Sequence, residues 1–405
     1  MEERGVRVDV EYLHRLSTEY HELQNVILKE IYRDAGTEFN VNSPKQLGEV
    51  LFDRMHLSVK GLRKTEGGAR STRESELEKL RDAHPIIGKI LKYREVQKLL
   101  STYIDVIPKM VAADGRLHTT FHQGGTTTGR MSSSNPNLQN IPIRDGLGER
   151  IRDAFIAGEG CVLLSFDYSQ IEMRVLAMLS GDPGLIEVFR EGLDVHTSVA
   201  ARVFHVLPSE VTREMRRRAK VINFGIIYGM GVNALRENLG STRAEAQEFY
   251  DQYFVTFPRI AAYFEGLKKD AAKNGYTETL FGRRRKFEDI RSNIPHIRAA
   301  AERMVMNAPI QGTAADIVKL AMVRADAMLT TAGLSDDAQL LLQVHDELMY
   351  EVADDPKTIA RVAETVRIAM EGVGEGEIPH KVPLEVDVKI GKRWGSMERY
   401  KEPNS

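Results

Sequence analysis

The chain has 405 residues, enough for roughly two to three domains and a sizeable core at about 150 residues each. Its 56 basic and 58 acidic residues leave a net charge of -2, which excludes a surface that is basic throughout, so any anion-binding face must come from local clustering. A single cysteine, Cys161, excludes an intramolecular disulfide; no apolar run approaches the roughly 18 residues of a membrane span, and "MEERGVRVDV" has no signal-peptide core, so a cytoplasmic protein with no membrane partner is expected.

The stretch "GVRVD", residues 5 to 9, predicts a short strand. Asp9 can then cap a long helix whose apolar positions Leu13, Leu16, Leu23, Ile27 and Ile31 make one buried stripe ending near Gly36. Ser43 and Pro44 supply the N-cap and first-turn proline of a shorter helix. The basic, Gly-containing loop "RKTEGGARSTRESELEKL" suits a solvated surface better than phosphate binding when taken alone, and it leads into a helix ending near Leu80. Helical patterning resumes from about 84 to 110. Residues 122 to 143, "HQGGTTTGRMSSSNPNLQNIPI", have the composition of a linker, yet they carry many donors, with Arg130 in their middle.

In "CVLLSFDYSQIEMRVLAMLSGD", residues 161 to 182, an apolar run of strand length ends at Asp167, and a helical pattern through Ile171, Val175 and Leu179 follows. Cys161 reads as a buried small hydrophobe. Residues 183 to 300 are predicted to be helix-rich, with basic stretches at 213 to 220 and 283 to 286. Within "RRRAKVINFGIIYGM", Arg216, Lys220, Phe224 and Tyr228 recur every four residues and share one broad helical face, basic at its start and aromatic at its end. A nucleoside triphosphate fits such a face, its phosphates on the cations and its base or sugar on Phe224; a solvated basic edge merging into core aromatics has the same pattern.

After a helix beyond 300, "QLLLQVHDELMYEV", residues 339 to 352, predicts a hairpin. Leu340, Leu342 and Val344, then Leu348, Tyr350 and Val352, alternate with the period two of half-buried strands around a tip of His345, Asp346 and Glu347. No Asn-Gly or Asp-Gly pair is present. Taken alone, the tip also reads as a solvated acidic turn. A helix from about 356 to 372 and the strand "VPLEVDVKIG" close the chain. If the strands carrying Asp167 and Asp346 are neighbours, their two hard oxygen ligands are what a pair of magnesium ions needs for in-line phosphoryl transfer. Glu172, five residues beyond Asp167, lies in the helix. Arg130, Asn307 and Gln311 can donate to purine N3 and pyrimidine O2, the acceptors that every base pair presents in the minor groove, although buried Asn and Gln usually serve backbone groups.

Taken together, these stretches resemble the family A DNA polymerases, the group of bacterial DNA polymerase I. "DYSQIEMRVLA" is similar to motif A of that family, "RRRAKVINFGIIYG" to motif B and "QVHDELMYEV" to motif C; "STYID" at 101 to 105, "TGRMSSSNPNLQNIP" and "FGRRR" at 281 to 285 match as well. The resemblance implies an α+β, right-hand fold with an antiparallel-sheet palm and helical fingers and thumb: residues 1–9 start the palm, 10–105 form the thumb, 106–182 palm, 183–300 fingers and 301–405 palm. It implies a monomeric, template-directed DNA polymerase that adds deoxynucleoside triphosphates to a primer on primer-template DNA, using two Mg2+ ions for which Mn2+ substitutes.

By the same resemblance, Asp167 and Asp346 are the metal-binding carboxylates, with the main-chain carbonyl of Tyr168 as a further ligand and Glu347 as a less critical acid. Arg216 and Lys220 bind the triphosphate, Lys220 also protonating the leaving pyrophosphate, and His196 and Gln170 add nucleotide contacts. Glu172 with Tyr228 is similar to the gate against the ribose 2′-hydroxyl, and Phe224 to a selector at the sugar 3′ position. His345, Arg130, Asn140, Arg303, Asn307 and Gln311 match primer-template contacts. Neither exonuclease domain of longer relatives fits in 405 residues, and the palm segment leading into "GVRVD" is nearly missing, so no exonuclease activity is expected. A phage-type RNA polymerase shares the palm logic but not the "DYSQIE" context. A two-metal nuclease has no use for the Arg/Lys/Phe/Tyr face, and a non-catalytic accessory subunit has none for Asp167, Asp346 and Lys220.

Overall fold

The computed structural model describes all residues but 59, 66, 143–145, 377 and 402–405. The last residue of the donor-rich 122–143 stretch and the end of the 301–405 segment lie outside the described residues.

A five-stranded antiparallel sheet stands at the centre, in the order Glu398–Arg399, Val386–Gly391, Cys161–Tyr168, Glu347–Ala353, Ala338–Val344. The hairpin is present, but its strands are not half-buried as the alternation suggested. Leu341–Val344 and Leu348–Val352 are buried without a break, because both faces of the sheet are covered. Val162, Leu164, Phe166, Leu348, Tyr350 and Val352 face one core, which they share with the helices between 171 and 267 and with the two helices flanking the hairpin. Leu163 and Met349 face a second core, shared with the N-terminal helices and Trp394. Period two thus sorts residues between two interiors rather than between interior and water.

The N-terminal helix runs Val10–Ala35. Asp9 Oδ1 accepts from Tyr12 N at 2.9 Å at its start, and Gly36, at φ 66°, ends it. Tyr20 and Gln24 join the buried stripe while Leu23 is only half-buried, and Gln24 Nε2 donates to Gln97 Oε1 of the helix Pro85–Leu99. The strand Val6–Val8 pairs with Arg116–Leu117 and Phe155–Ile156 in a second, three-stranded sheet. The buried Glu351 carboxylate ties this sheet to the central one, accepting from Arg4, Arg116 and the Gly158 N–H. Cys161 is half-buried at the start of its strand rather than fully buried.

Residues 183–300 are not all helix. The "FGRRR" stretch enters a hairpin, Tyr276–Glu278 with Arg284–Lys286, held by Arg284 stacked on Tyr276 and paired with Glu278. One helix, Pro295–Thr331, then runs straight across the position 300 boundary that the resemblance implied and contains Pro309. The helix Pro356–Glu371 follows with Asp355 as N-cap. The closing strand begins at Val386, not Val382, since Pro383 has no N–H to give a ladder. Among the described residues no helix is long and apolar enough to cross a membrane.

Candidate active site

The sheet brings the two predicted carboxylates to one rim. Asp167 stands in register with Glu347 on one neighbouring strand and with Asp387 on the other, and Tyr168 N donates to Asp346 O at 3.2 Å. His345 and Asp346 alone form the turn, with His345 at φ 55°; Glu347 already belongs to the strand. The absence of the usual turn residues is made good by Gln343, whose amide donates to the His345 carbonyl and is itself held by Gln139.

The Asp167 carboxylate is open to the cleft yet walled by protein on most sides. Burial first, then the charges of Glu347 and Asp346, push its pKa up to about 7, against the opposing pull of Lys389. Burial also raises Asp346, offset by the Arg130 guanidinium. Because the raised Asp167 holds a proton that the unfolded chain gives up near pH 4, its charge opposes folding fully above pH 7, and this cost fades as pH falls from 7 to 4. Asp167→Asn is therefore expected to raise Tm at pH 8 in metal-free buffer and to leave it nearly unchanged at pH 4, as thermal unfolding at the two pH values checks.

The basic helix, Arg213–Ile227, starts from the N-cap Thr212, and its C-terminal end, Phe224 with the C-cap Tyr228, lines the opposite wall, whereas Arg216, Lys220 and His196 are not among the residues lining the cleft. Phe224 and Tyr228 are 39% and 48% exposed, so the aromatic end of the face is not core. Arg216 is engaged by Asp194 at 2.9 and 3.1 Å, and Arg217 and Arg218 by Glu214. Lys220 has no hydrogen bond or ion pair among the described residues. His196 is buried, takes a hydrogen bond from Asn223 at 3.0 Å and packs on Phe224; burial lowers its pKa to about 4, which keeps it neutral.

Between the two walls, Glu172 accepts from Tyr228 OH at 3.2 Å and from Arg130 Nη2 at 2.8 Å, and the same Arg130 nitrogen lies 3.8 Å from Asp346. Burial raises the Glu172 pKa against the pull of Arg130. Gln170 Oε1 and Arg130 Nε are buried here without a hydrogen-bond partner among the described residues. A cleft of about 550 Å³ joins Arg130, Asp167, Tyr168, Gln170, Glu172, Phe224, Tyr228, His345, Asp346 and Glu347. A larger cavity, about 930 Å³, lies among the N-terminal helices near Phe52 and Arg94 and contains none of the predicted residues. Asn140 and Arg303 are exposed outside the cleft, and Asn307 donates to the Ile227 carbonyl at 3.2 Å, so its amide serves the backbone of the basic helix in this state.

No three His, Cys, Asp or Glu side chains among the described residues close around one point. Asp167 and Asp346 nevertheless suit magnesium, which takes one or two carboxylates and completes its shell with water and phosphate oxygens. Burial and the nearby carboxylates, which together raise Asp167, create the demand such a cation would meet. Sequence reasoning missed Asp387, Ser165, Asp194 and Trp394. Val386, Val388 and Ile390 do alternate around Asp387, but only strand register places it beside Asp167.

Comparison with known proteins agrees with this geometry. The model of DNA polymerase family A matches residues 10–396. The thermostable DNA polymerase I of Thermus aquaticus is 51% identical over 97% of this chain, and that of Thermus filiformis 50% over 97%. DNA polymerase I of Pseudomonas aeruginosa is 46% identical over 97%. The chain spans less than half of these relatives, 46% of each Thermus protein and 42% of the Pseudomonas one. The POL domain of Pol1 from M. smegmatis, solved in complex with DNA primer-template and dNTP, superposes with a TM-score of 0.89 at 42% identity, over 97% of this chain and 68% of that one. The fold is thus the α+β right hand expected from the motifs. With a sheet rim of aspartates facing a basic and aromatic helix, and a family match that runs through both, this chain belongs to DNA polymerase family A.

Proposed function

We propose that this chain is a template-directed DNA polymerase that adds deoxynucleoside triphosphates to a primer 3′ end. The supporting observation is a single cleft with Asp167 and Asp346 on one side and the exposed face of Phe224 and Tyr228 on the other. Asp167, Asp346 and the Tyr168 carbonyl hold the cations. Two magnesium ions bound there would activate the attacking hydroxyl and offset charge on the phosphates. Lys220, unpaired, is free to meet the triphosphate and give a proton to the leaving pyrophosphate, whereas Arg216 must trade Asp194 for phosphate. His196 serves as a neutral contact, and Gln170, whose side-chain oxygen is buried without a partner among the described residues, lines the cleft beside Asp167.

On this reading Arg130 leaves Glu172 for the minor groove of primer-template DNA, joined by His345, Gln311, Asn307, Arg303 and Asn140. Residues 10–105 act as thumb and 183–300 as fingers, on palm segments 1–9, 106–182 and 301–405. That the thumb segment packs on one face of the sheet and the fingers segment on the other supports this division. Primer extension by purified protein with magnesium, primer-template and four deoxynucleotides tests the proposal. Failure to extend with either magnesium or manganese would overturn it.

Two selectivities follow from the cleft wall. The Tyr228–Glu172 hydrogen bond closes the space that a 2′-hydroxyl would need. Glu172→Ala is expected to raise ribonucleotide use relative to deoxynucleotide use by about tenfold or more, read by competition at one template position. Phe224 has no hydroxyl to replace the one that a dideoxynucleotide lacks. Phe224→Tyr supplies it, and a bond to a charged group contributes about 1.5 to 3 kcal/mol, so dideoxynucleotide incorporation is expected to rise by roughly one to two powers of ten. Equal use of both sugars by the wild-type protein would refute this placement.

A further inference from the structure

Ser165 is a buried hydroxyl in an otherwise apolar strand run, and Trp394 is the chain's single tryptophan, 5% exposed. Both give their hydrogen bond to the same atom. Ser165 Oγ donates to Glu347 Oε1 at 2.5 Å, and Trp394 Nε1 donates to it at 3.3 Å. The indole cannot drift. Phe155 meets it edge-on at 5.6 Å, the Arg152 guanidinium lies 4.1 Å from its ring centroid, and the preceding Arg393 is tied to Asp9 and to the Asp153 carbonyl. A buried indole N–H needs an acceptor, and here the acceptor is the same Glu347 oxygen that Ser165 already holds.

We propose that Ser165 and Trp394 are positioning residues for Glu347, fixing one carboxylate oxygen so that the other is presented to the cleft beside Asp167. Ser165 lies two residues before Asp167 on the same strand face, so one strand supplies a cation ligand and a brace for the acid beside it. The inference rests on the polymerase reading for its kinetic consequence, not for its geometric one.

A double-mutant cycle and a spectrum test it. Trp394→Phe keeps the ring and removes the donor; it is expected to slow single-turnover nucleotide addition about tenfold with duplex affinity unchanged, and Ser165→Ala to act in the same direction. In the Glu347→Gln background each change should cost less than about twofold, because the group they hold is already altered. The same fold loss in both backgrounds would make them mere core residues and overturn the proposal. Independently, Glu347→Gln removes a charge beside the indole, so the emission maximum of Trp394 in metal-free buffer should shift. A spectrum superimposable on wild type would overturn the geometric claim. Failure of the polymerase reading would appear separately, as absent extension by the wild-type chain.

Discussion

Asp167→Ala and Asp346→Ala are each expected to lower primer extension by roughly a thousandfold or more while leaving duplex binding largely intact. Each removes one of the two rim carboxylates assigned to the cations, and metal-supplied charge stabilisation of several kcal/mol, about 4 being a factor of a thousand, goes with it. On the proposed reading, binding to primer-template depends instead on contacts spread over many residues, of which only Arg130, 3.8 Å from Asp346, lies beside a changed side chain. The raised pKa of Asp167 sharpens the expectation, because burial and the neighbouring Glu347 and Asp346 charges disfavour its ionised form and a bound cation would restore it. Single-turnover extension beside a filter or anisotropy titration of the duplex separates the two effects. Activity within tenfold of wild type in either variant would refute the assignment of these residues as cation ligands.

Lys220→Ala is expected to slow nucleotide addition by about a hundredfold to a thousandfold, the usual consequence of removing one donor from the place where charge develops. Position and pairing together single out Lys220 among the cations of its helix. Arg216, Arg217 and Arg218 are each held by a carboxylate from Asp194 or Glu214; Arg213 and Lys220 have no such partner among the described residues, and of these two only Lys220 lies one turn from Phe224. The loss should fall on the maximal rate and on triphosphate affinity together. If only duplex affinity fell, with single-turnover chemistry unchanged, the basic helix would track DNA rather than the incoming nucleotide. Arg216→Ala serves as a comparison: its guanidinium must first give up Asp194, so a smaller loss is expected.

Much of this site is local information. Asp9, Ser43 and Gly36 mark helix ends by short-range chemistry, and the four-residue spacing of Arg216, Lys220, Phe224 and Tyr228 fixes their common face wherever the helix lies. Strand alternation gave the hairpin but misjudged its surroundings, since a sheet covered on both faces is buried on both, as Leu341–Val344 shows. What could not be read was pairing across distance. The row Glu347, Asp167, Asp387 depends on three strands drawn from well-separated parts of the chain. Trp394 reaches Glu347 through a turn whose position only the folded packing sets. The donor role of Arg130 was legible as chemistry, but its pairing with Glu172 was not, because nothing in either stretch shows that they meet.

The helix Pro295–Thr331 has a bearing on how such a chain can change over evolutionary time. Asn307 secures the end of the basic helix, Asp316 and the Gly312 carbonyl hold Arg283, and Ile317, Ala321 and Ala325 sit in the core beneath the sheet. All are threaded on one rod, so inserting or deleting one residue between 312 and 325 would turn everything on one side by about 100° relative to the other and shift it by about 1.5 Å. A substitution along this rod acts where it is made, whereas a change in its length acts on everything beyond it. Lineages carrying this cleft are therefore expected to vary in the letters of this segment and to keep its count, with insertions collecting instead in loops such as the one between the hairpin strands Tyr276–Glu278 and Arg284–Lys286.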